Sequence, residues 1–165
     1  MEQLVNSTGL VLEGGGHRGI YTAGVLDVFA ENKISFDGIM GVSAGAIHAA
    51  SYLSGQPGRS VRYPSRYCND PAYMGLKSLF TTGNYFNVKF CYYRLPDELD
   101  PFDNDTFDAN PVPFYTVATD IKTGKADYHL CDSLRGRKIK WLQASSSMPL
   151  AAAVVNIDNR FYLDG

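Results

Sequence analysis

The sequence is poor in the residues that would mark a disulfide-rich or metal-binding protein. Its 165 residues include only three cysteines, Cys68, Cys91 and Cys131, at wide spacings and without a C-x-x-C pair. Neither a disulfide framework nor a zinc site is therefore indicated, and buried or half-buried thiols are expected.

An excess of charge of either sign is also missing. Fifteen lysines and arginines against seventeen aspartates and glutamates give a net charge of −2, so no basic field favours nucleic acid. Met1 to Thr8 has no basic start, and the apolar run after it is broken by Glu13 and by glycines, which disfavours a signal peptide or a membrane span of about 20 residues. We expect a cytoplasmic protein without a nucleic-acid partner.

Apolar residues are plentiful, and their pattern predicts one α/β domain over residues 1–165. They make up 45% of the chain, enough for a single packed core. A buried strand at Gly9 to Glu13 and a helix at Arg18 to Asn32 form a first unit, and the unit repeats at Phe36 to Val42 and Ala44 to Leu53. The proline-rich stretch from Gln56 to Phe102 predicts a cap-like excursion.

The last third of the chain predicts two hairpins with a helix between them. The first hairpin joins Pro113–Thr119 to Ala126–Cys131, the helix covers Lys138–Ser147, and the second hairpin runs from Val154 to Leu163. Together with the two early units, these elements predict a three-layer α/β/α domain with a mixed, mainly parallel sheet.

Gly41-Val42-Ser43-Ala44-Gly45 is a G-x-S-x-G motif placed between a predicted strand and a predicted helix. This context is typical of a nucleophile elbow, the sharp turn that exposes a reactive serine. The flanking glycines would allow the chain to reverse, and the following helix would direct free N–H groups at Ser43. A simple small-residue turn into a helix is an equally good interpretation of this motif alone.

A second glycine-rich motif precedes the elbow and fits two functions. It comprises Gly14, Gly15, Gly16, His17, Arg18 and Gly19. As G-x-G-x-x-G it could bind a dinucleotide. A dinucleotide site needs an acidic residue at the end of the second strand, whereas Asp37 lies at the start of that strand. Beside a nucleophile elbow, the same loop would supply backbone N–H groups to an oxyanion hole.

The order of four motifs resembles the patatin-like phospholipases, in their bacterial branch. The motifs are GGGHRG at 14–19, GVSAG at 41–45, ASSSMP at 144–149 and DG at 164–165. The resemblance implies a serine lipid acyl hydrolase with Ser43 as nucleophile, Asp164 as base and the 14–19 loop as oxyanion hole. It implies no metal or organic cofactor. The family usually reads D-G-G or D-G-A at its last motif and continues further, so we expect this chain to be truncated at the carboxyl end.

The residues alone leave the identity of the base open. No histidine follows Asp164, so the order of an α/β-hydrolase triad is not met. His48, five residues past the serine, is expected to point elsewhere, and His129 in a hairpin strand is more often structural.

Two groups of arginines also have two interpretations each. Arg18 could orient the glycine loop or attract a phospholipid phosphate, and the structural role is preferred. The three arginines of the cap-like stretch, Arg59, Arg62 and Arg66, could present a basic face to anionic lipid. A solvated face is preferred, because Pro64 interrupts the stretch.

We therefore expect an enzyme that hydrolyses lipid or other acyl esters through an acyl-Ser43 intermediate, with transient contact to a membrane surface. An acyltransferase with the same elbow, a catalytically silent lipid-binding module and, less favoured, a dinucleotide-binding oxidoreductase remain as alternatives. The lipid head group, the acyl chain length and the oligomeric state are left open by the sequence.

Overall fold

The structure is a computed structural model that describes residues 7–165. Residues 1–6 lie outside the described residues. They make up most of the segment Met1 to Thr8, for which no signal peptide is expected. The strands are β1 (Gly9–Leu12), β2 (Gly38–Val42), β3 (Phe114–Asp120), β4 (Lys125–Leu130), β5 (Val155–Ile157) and β6 (Arg160–Asp164). The α-helices are α1 (Ile20–Glu31), α2 (Ala44–Leu53), α3 (Arg59–Tyr67), α4 (Leu76–Thr82), α5 (Asn104–Ala109) and α6 (Lys140–Ser145).

Three shorter or irregular helices complete the secondary structure. A π-helix spans Phe90–Leu99, and 3-10 helices span Gly16–Gly19 and Gly136–Ile139. No helix in the described part of the chain is long and apolar enough to cross a membrane. All three cysteines are free, with Cys131 buried and the other two half-buried.

The strands form one mixed sheet, as predicted. β1 pairs parallel with β2, and β2 pairs parallel with β3. β3 pairs antiparallel with both β4 and β6, and β6 pairs antiparallel with β5. Parallel pairing is thus confined to the first three strands, so the expectation of a mainly parallel sheet was wrong. The reason is that the later strands are joined by hairpins, which can only pair antiparallel.

β2 and β6 meet end to end on one edge of β3. β4 occupies the other edge, from the pair Tyr115–Leu130 to the pair Asp120–Lys125. On the shared edge the last residue of β2, Val42, pairs with Val117, and the last residue of β6, Asp164, pairs with Ala118. The carboxyl ends of two strands far apart in sequence therefore point at each other.

The described helices cover one face of the sheet. Right-handed crossovers from β1 to β2 and from β2 to β3 advance in the same direction across the sheet, so both connections lie on the same side. α6 packs on that side as well, where Trp141 stacks on His129 of β4. Within residues 7–165 the α/β class is confirmed, but the predicted third layer is not seen.

Small residues allow α2 to lie close to the sheet. Ala46 and Ala49 of this helix are fully buried in a core that includes Leu12, Ile39 and Phe114. The opposite sheet face carries exposed apolar side chains, among them Val11 and Tyr128, which are 68% and 58% exposed.

We predict opposite effects on stability for two helical glycines. A Cβ at Gly45 would overlap the backbone carbonyls of Leu12 and Glu13, the latter at 2.6 Å, whereas a Cβ at Gly24 in α1 would meet nothing within 4 Å. Gly45→Ala should lower the free energy of unfolding by about 1–3 kcal/mol or more. The matched control Gly24→Ala should raise it by about 0.5–1 kcal/mol, because alanine favours a helix. Urea unfolding of both variants measures the difference, and equal stabilities would contradict the packing described here.

Candidate active site

Ser43 occupies a strained turn between β2 and α2. Its backbone has φ 54° and ψ −125°, a region that a residue with a side chain rarely adopts. The N–H groups of Ala46 and Ile47 both donate to the Ser43 carbonyl, at 3.0 and 3.2 Å, which fixes the first turn of α2 behind the serine. This is the strand, sharp turn and helix order that the G-x-S-x-G motif predicts.

The two glycines of the motif are needed for close packing rather than for a left-handed backbone. A Cβ at Gly41 would lie 2.5 Å from Cα of Ala46, and a Cβ at Gly45 would overlap the carbonyl of Leu12. The positive φ belongs to Ser43 itself, and neither glycine has one. The chain reversal that the sequence suggested for the glycines therefore occurs at Ser43.

Ser43 and Asp164 are in direct contact. Ser43 Oγ donates to Asp164 Oδ2 at 2.9 Å, and only 7% of Ser43 is exposed. Burial raises the pKa of the Asp164 carboxyl above its ordinary value, although the hydrogen bond from Ser43 acts in the opposite direction. The carboxylate is therefore a stronger proton acceptor than a solvated aspartate.

The segment Ser145–Ser147 holds both of these residues by their backbones. The Ser43 N–H donates to Ser145 Oγ at 2.9 Å, and the Asp164 N–H donates to the Ser147 carbonyl at 2.9 Å. Ser145 is fully buried and Ser147 is 3% exposed. From the sequence these serines were expected only as the end of a helix and as part of the ASSSMP motif, so their positioning role was missed. The run of three hydroxyl residues at a helix end was the available signal.

Gly165 fits where a side chain could not. A Cβ there would lie 2.6 Å from the Val117 carbonyl and 2.9 Å from Cγ1 of Val42. The glycine of the Asp-Gly motif therefore allows β6 to end directly against β2 and β3. This close approach sets the position of Asp164 beside Ser43.

The glycine loop begins beside the serine. A Cβ on Gly14 would lie 2.9 Å from Ser43 Cβ and 3.6 Å from its Oγ. Gly16 has φ 53°, in the left-handed region. The N–H groups of Gly15 and Gly16 donate to no acceptor within residues 7–165. Free donors therefore lie next to a hydroxyl group.

The rest of the loop is held by packing. The His17 ring contacts Phe86 edge-on, with the ring centroids 5.4 Å apart, and a Cβ on Gly19 would lie 2.8 Å from Nε2 of His48. Arg18 is exposed, and its side chain forms no hydrogen bond with residues 7–165, so the preferred role in orienting the loop is not supported.

A cavity of about 510 Å³ opens from Ser43. Its size is typical of a small-molecule or lipid site. The stretch from Gln56 to Phe102, predicted to be a cap, supplies one wall through α3 and the π-helix, and α2 supplies another. Representative apolar lining residues are Ile47, Tyr63, Phe86, Leu95, Phe102 and Leu142.

Two sequence interpretations are corrected by this cavity. His48 lines it together with Ser43 instead of pointing elsewhere, although it bonds to neither Ser43 nor Asp164. Arg59 lines it as well and is only 5% exposed, so it is not part of a solvated face. Pro64 lies inside α3 and does not interrupt it.

The described residues contain no group of three or more His, Cys, Asp or Glu side chains that could hold a metal ion. The acidic residue considered for a dinucleotide, Asp37, accepts the Thr8 N–H at 2.6 Å just before β2. It therefore lies at the opposite end of β2 from the glycine loop, where a ribose could not reach it.

The chain is similar in sequence to several known proteins. The sequence model of the family described as patatin-like phospholipase matches residues 10–165. The chain is 32% identical to YjjU of Escherichia coli over 94% of its own length and 44% of that protein. It is 28% identical to lysophospholipase nte1 of Aspergillus terreus and to neuropathy target esterase sws of Drosophila grimshawi, over 96% and 97% of its length.

The chain spans less than half of YjjU and 10% and 11% of the other two proteins. Within its own length, however, the match to the family model includes the serine turn, the glycine loop and the final Asp-Gly. The chain belongs to the patatin-like phospholipase family.

Proposed function

We propose that the protein is a serine lipid acyl hydrolase that cleaves carboxylic ester bonds with Ser43 as nucleophile and Asp164 as base. The observation that carries the proposal is the 2.9 Å contact between Ser43 Oγ and Asp164 Oδ2 at the wall of an apolar cavity. Family membership supports ester hydrolysis of lipids as the reaction class.

In the first half of the reaction, Asp164 accepts the Ser43 proton while Oγ attacks the ester carbonyl carbon. The alcohol then leaves with that proton, and the acyl group remains on Ser43. In the second half, water gives a proton to Asp164 as its oxygen attacks the acyl carbon. The bond to Ser43 Oγ then breaks, the acid is released, and Asp164 returns the proton to Oγ. An ordinary aspartate, with a pKa of about 3.9, is a poor base for this step. Burial of Asp164 raises its pKa and makes the transfer less unfavourable.

The glycine loop would stabilise the negative charge of the tetrahedral intermediate. The free N–H groups of Gly15 and Gly16 are the candidate donors of the oxyanion hole, joined by the first N–H groups of α2. The Ser43 N–H is excluded from this role, because it is bound to Ser145 Oγ. One such donor contributes roughly 3 kcal/mol to catalysis in other hydrolases.

Contact with a lipid surface is supported by an apolar patch, which we define as Leu76, Phe80 and Leu150. These side chains are 65%, 84% and 98% exposed. The two segments that carry them are joined by hydrogen bonds, from the Tyr85 N–H to the Ala151 carbonyl and from the Ala153 N–H to Asn84. Met148, two residues before Leu150, lines the cavity. The patch therefore lies near the place where a lipid would enter.

Fluorophosphonate labelling tests the nucleophile and its base. The wild-type protein should be labelled on Ser43, and Ser43→Ala should lose labelling entirely while keeping its fold. Asp164→Asn keeps the hydroxyl but removes the proton acceptor, so labelling should slow by about 10²-fold or more. His129→Ala serves as the control and should label at the wild-type rate. Labelling on another serine, or unchanged labelling in Asp164→Asn, would refute the assignment.

A pair of glycine variants tests the loop. Gly14→Ala would bring a methyl group to 2.9 Å from Ser43 Cβ, whereas a Cβ on Gly24, outside the loop, would meet nothing within 4 Å. Gly14→Ala should reduce ester turnover or labelling by about tenfold or more. Gly24→Ala is the control and should keep the wild-type rate. Equal rates in the two variants would show that the loop does not act through this contact.

Vesicle co-sedimentation tests the apolar patch. Burying a side chain such as Phe80 or Leu150 in lipid gains about 1.5–3 kcal/mol, so Phe80→Ser with Leu150→Ser should weaken binding to phosphatidylcholine vesicles by about tenfold or more. Tyr128→Ser removes a comparably exposed ring from the open sheet face and should leave binding unchanged. If Tyr128→Ser has the larger effect, the membrane contact lies elsewhere.

A further inference from the structure

The strand that carries Asp164 is joined to the sheet by few backbone contacts. β6 pairs with β3 over three residue pairs, from Ala118–Asp164 to Asp120–Tyr162, and with β5 over three more. A shift of two residues along β3 would keep the side chains on the same face but would move Asp164 by about 6–7 Å. Because side chains and turns set the register of a strand, the side chains of β6 decide how far Asp164 lies from Ser43.

Two side chains of β6 attach it to two carboxylates of the β3–β4 hairpin. Arg160 donates to Asp120 Oδ2 from Nε at 3.0 Å and from Nη2 at 2.7 Å, and its Nη1 lies 3.2 Å from Asp127 Oδ2. The Tyr162 hydroxyl donates to the same Asp127 oxygen at 2.9 Å. We call these four residues, Asp120, Asp127, Arg160 and Tyr162, the β6 clamp.

Asp120 is a rigid attachment point for β6. Its Oδ1 accepts the N–H groups of Lys122 and Thr123 at 2.9 and 3.0 Å, so the turn after β3 holds the carboxylate in place. Only 5% of the residue is exposed. The hydrogen bond from Arg160 holds the pKa of the Asp120 carboxyl below its ordinary value. Asp120 is therefore charged at neutral pH, and both of its oxygens are occupied.

Tyr162 makes the second attachment from inside the core. It is 1% exposed, and its ring packs on Trp141 with the ring centroids 5.0 Å apart. Burial, together with the hydrogen bond to Asp127, raises the pKa of Tyr162 to about 12. The hydroxyl group therefore stays protonated and remains a donor. Ala118, the neighbouring residue of β3, is fully buried and small enough for this ring to pass over it.

The clamp is close to Asp164 but separate from the reacting groups. Asp127 pairs with Ala118, and Ala118 pairs with Asp164, so the three residues form one row on the same face of three adjacent strands. Two strand spacings separate the ends of that row, which is about 10 Å. No residue of the clamp lines the cavity or contacts Ser43. The clamp can act on the reaction only through the backbone of β6.

From these contacts we propose that the β6 clamp sets the register of β6 and thereby holds the Asp164 carboxylate within hydrogen-bond distance of Ser43 Oγ. Arg160 and Tyr162 are then positioning residues. The planar guanidinium of Arg160 is suited to this role, because its fork of donors can bind both carboxylates at once. The proposal rests on the proposed function, since it assigns positioning residues to the same serine and base.

Saturation kinetics of fluorophosphonate labelling separate positioning from mere stabilisation. In folded Arg160→Met the maximal labelling rate should fall by about tenfold or more, because small misplacements of a catalytic group are costly. The concentration that gives half of this rate should change by less than about twofold, since the clamp does not line the cavity. A purely stabilising ion pair would lower the fraction of labelled protein and not the rate. Arg160→Lys keeps a cation and should recover part of the rate.

Lys138→Met is the matched control for the arginine variant. Lys138 also pairs with a carboxylate of the hairpin region, Asp132, and its side chain is 50% exposed against 55% for Arg160. It should label at the wild-type rate. If Arg160→Met does not fold, Tyr162→Phe removes only the hydroxyl bound to Asp127 and should lower the maximal rate by about threefold or more. An unchanged maximal rate, or an equal loss in Lys138→Met, would overturn the proposal.

Hydrogen exchange tests the positioning without any chemistry at Ser43. The Asp164 N–H donates to the Ser147 carbonyl at 2.9 Å, so its exchange reports whether β6 is in place. In Arg160→Met this amide should exchange about tenfold faster or more, while the amides between β2 and β3 keep their wild-type rates. In Lys138→Met neither should change.

The two measurements distinguish this proposal from the proposed function. Loss of protection at Asp164 in a protein whose wild type is not labelled on Ser43 would refute only the hydrolase. A labelled wild type whose Asp164 amide stays fully protected in Arg160→Met would refute only the role of the clamp.

Discussion

The end-to-end meeting of β2 and β6 on the edge of β3 is the constraint on which the site depends. β3 is long enough for two strands to pair with it in succession, one parallel and one antiparallel. The residue after β2 and the last residue of β6 consequently lie side by side, although 121 residues separate them in sequence. A one-residue shift of β6 would turn Asp164 to the other face of the sheet. Its contact with Ser43 would then be lost, so the register of β6 decides whether the two side chains meet.

There is little space where the ends of β2 and β6 meet, and this limits which residues fit there. Gly165 leaves room for the carbonyl of Val117, and Gly14 leaves room for Ser43. Ser145 and Ser147 then hold the two facing strand ends from the α6 side. The strained backbone of Ser43 persists because β2 before it and α2 after it are both fixed by packing. The Ser43 hydroxyl is thus positioned by backbone contacts and not by a long side-chain network.

Local patterns predicted the parts of this site that are local. The strand, turn and helix around Ser43, the glycine loop and both hairpins follow from glycine placement and apolar periodicity over short windows. The place of Asp164 could not be derived in this way, because it depends on pairing between distant strands, and only the family resemblance supplied it. The burial of Arg59 was missed for a related reason. A basic residue in a segment with a proline, here Pro64, indicates solvent locally. The real surroundings of Arg59 are Ser51, Tyr63 and Phe102, which come from α2, α3 and the segment before α5.

Burial affects Asp164 and His48 in opposite ways, and this explains how a pair without histidine could work. Desolvation disfavours the charged form of any group, so it raises the pKa of Asp164 and lowers that of His48 to about 4. Asp164 gains basicity and His48 loses it, and only Asp164 is in contact with the Ser43 hydroxyl. The same low-polarity surroundings would strengthen the attraction of free N–H groups for a developing oxyanion. Burial can therefore make an aspartate a usable base without the help of a histidine.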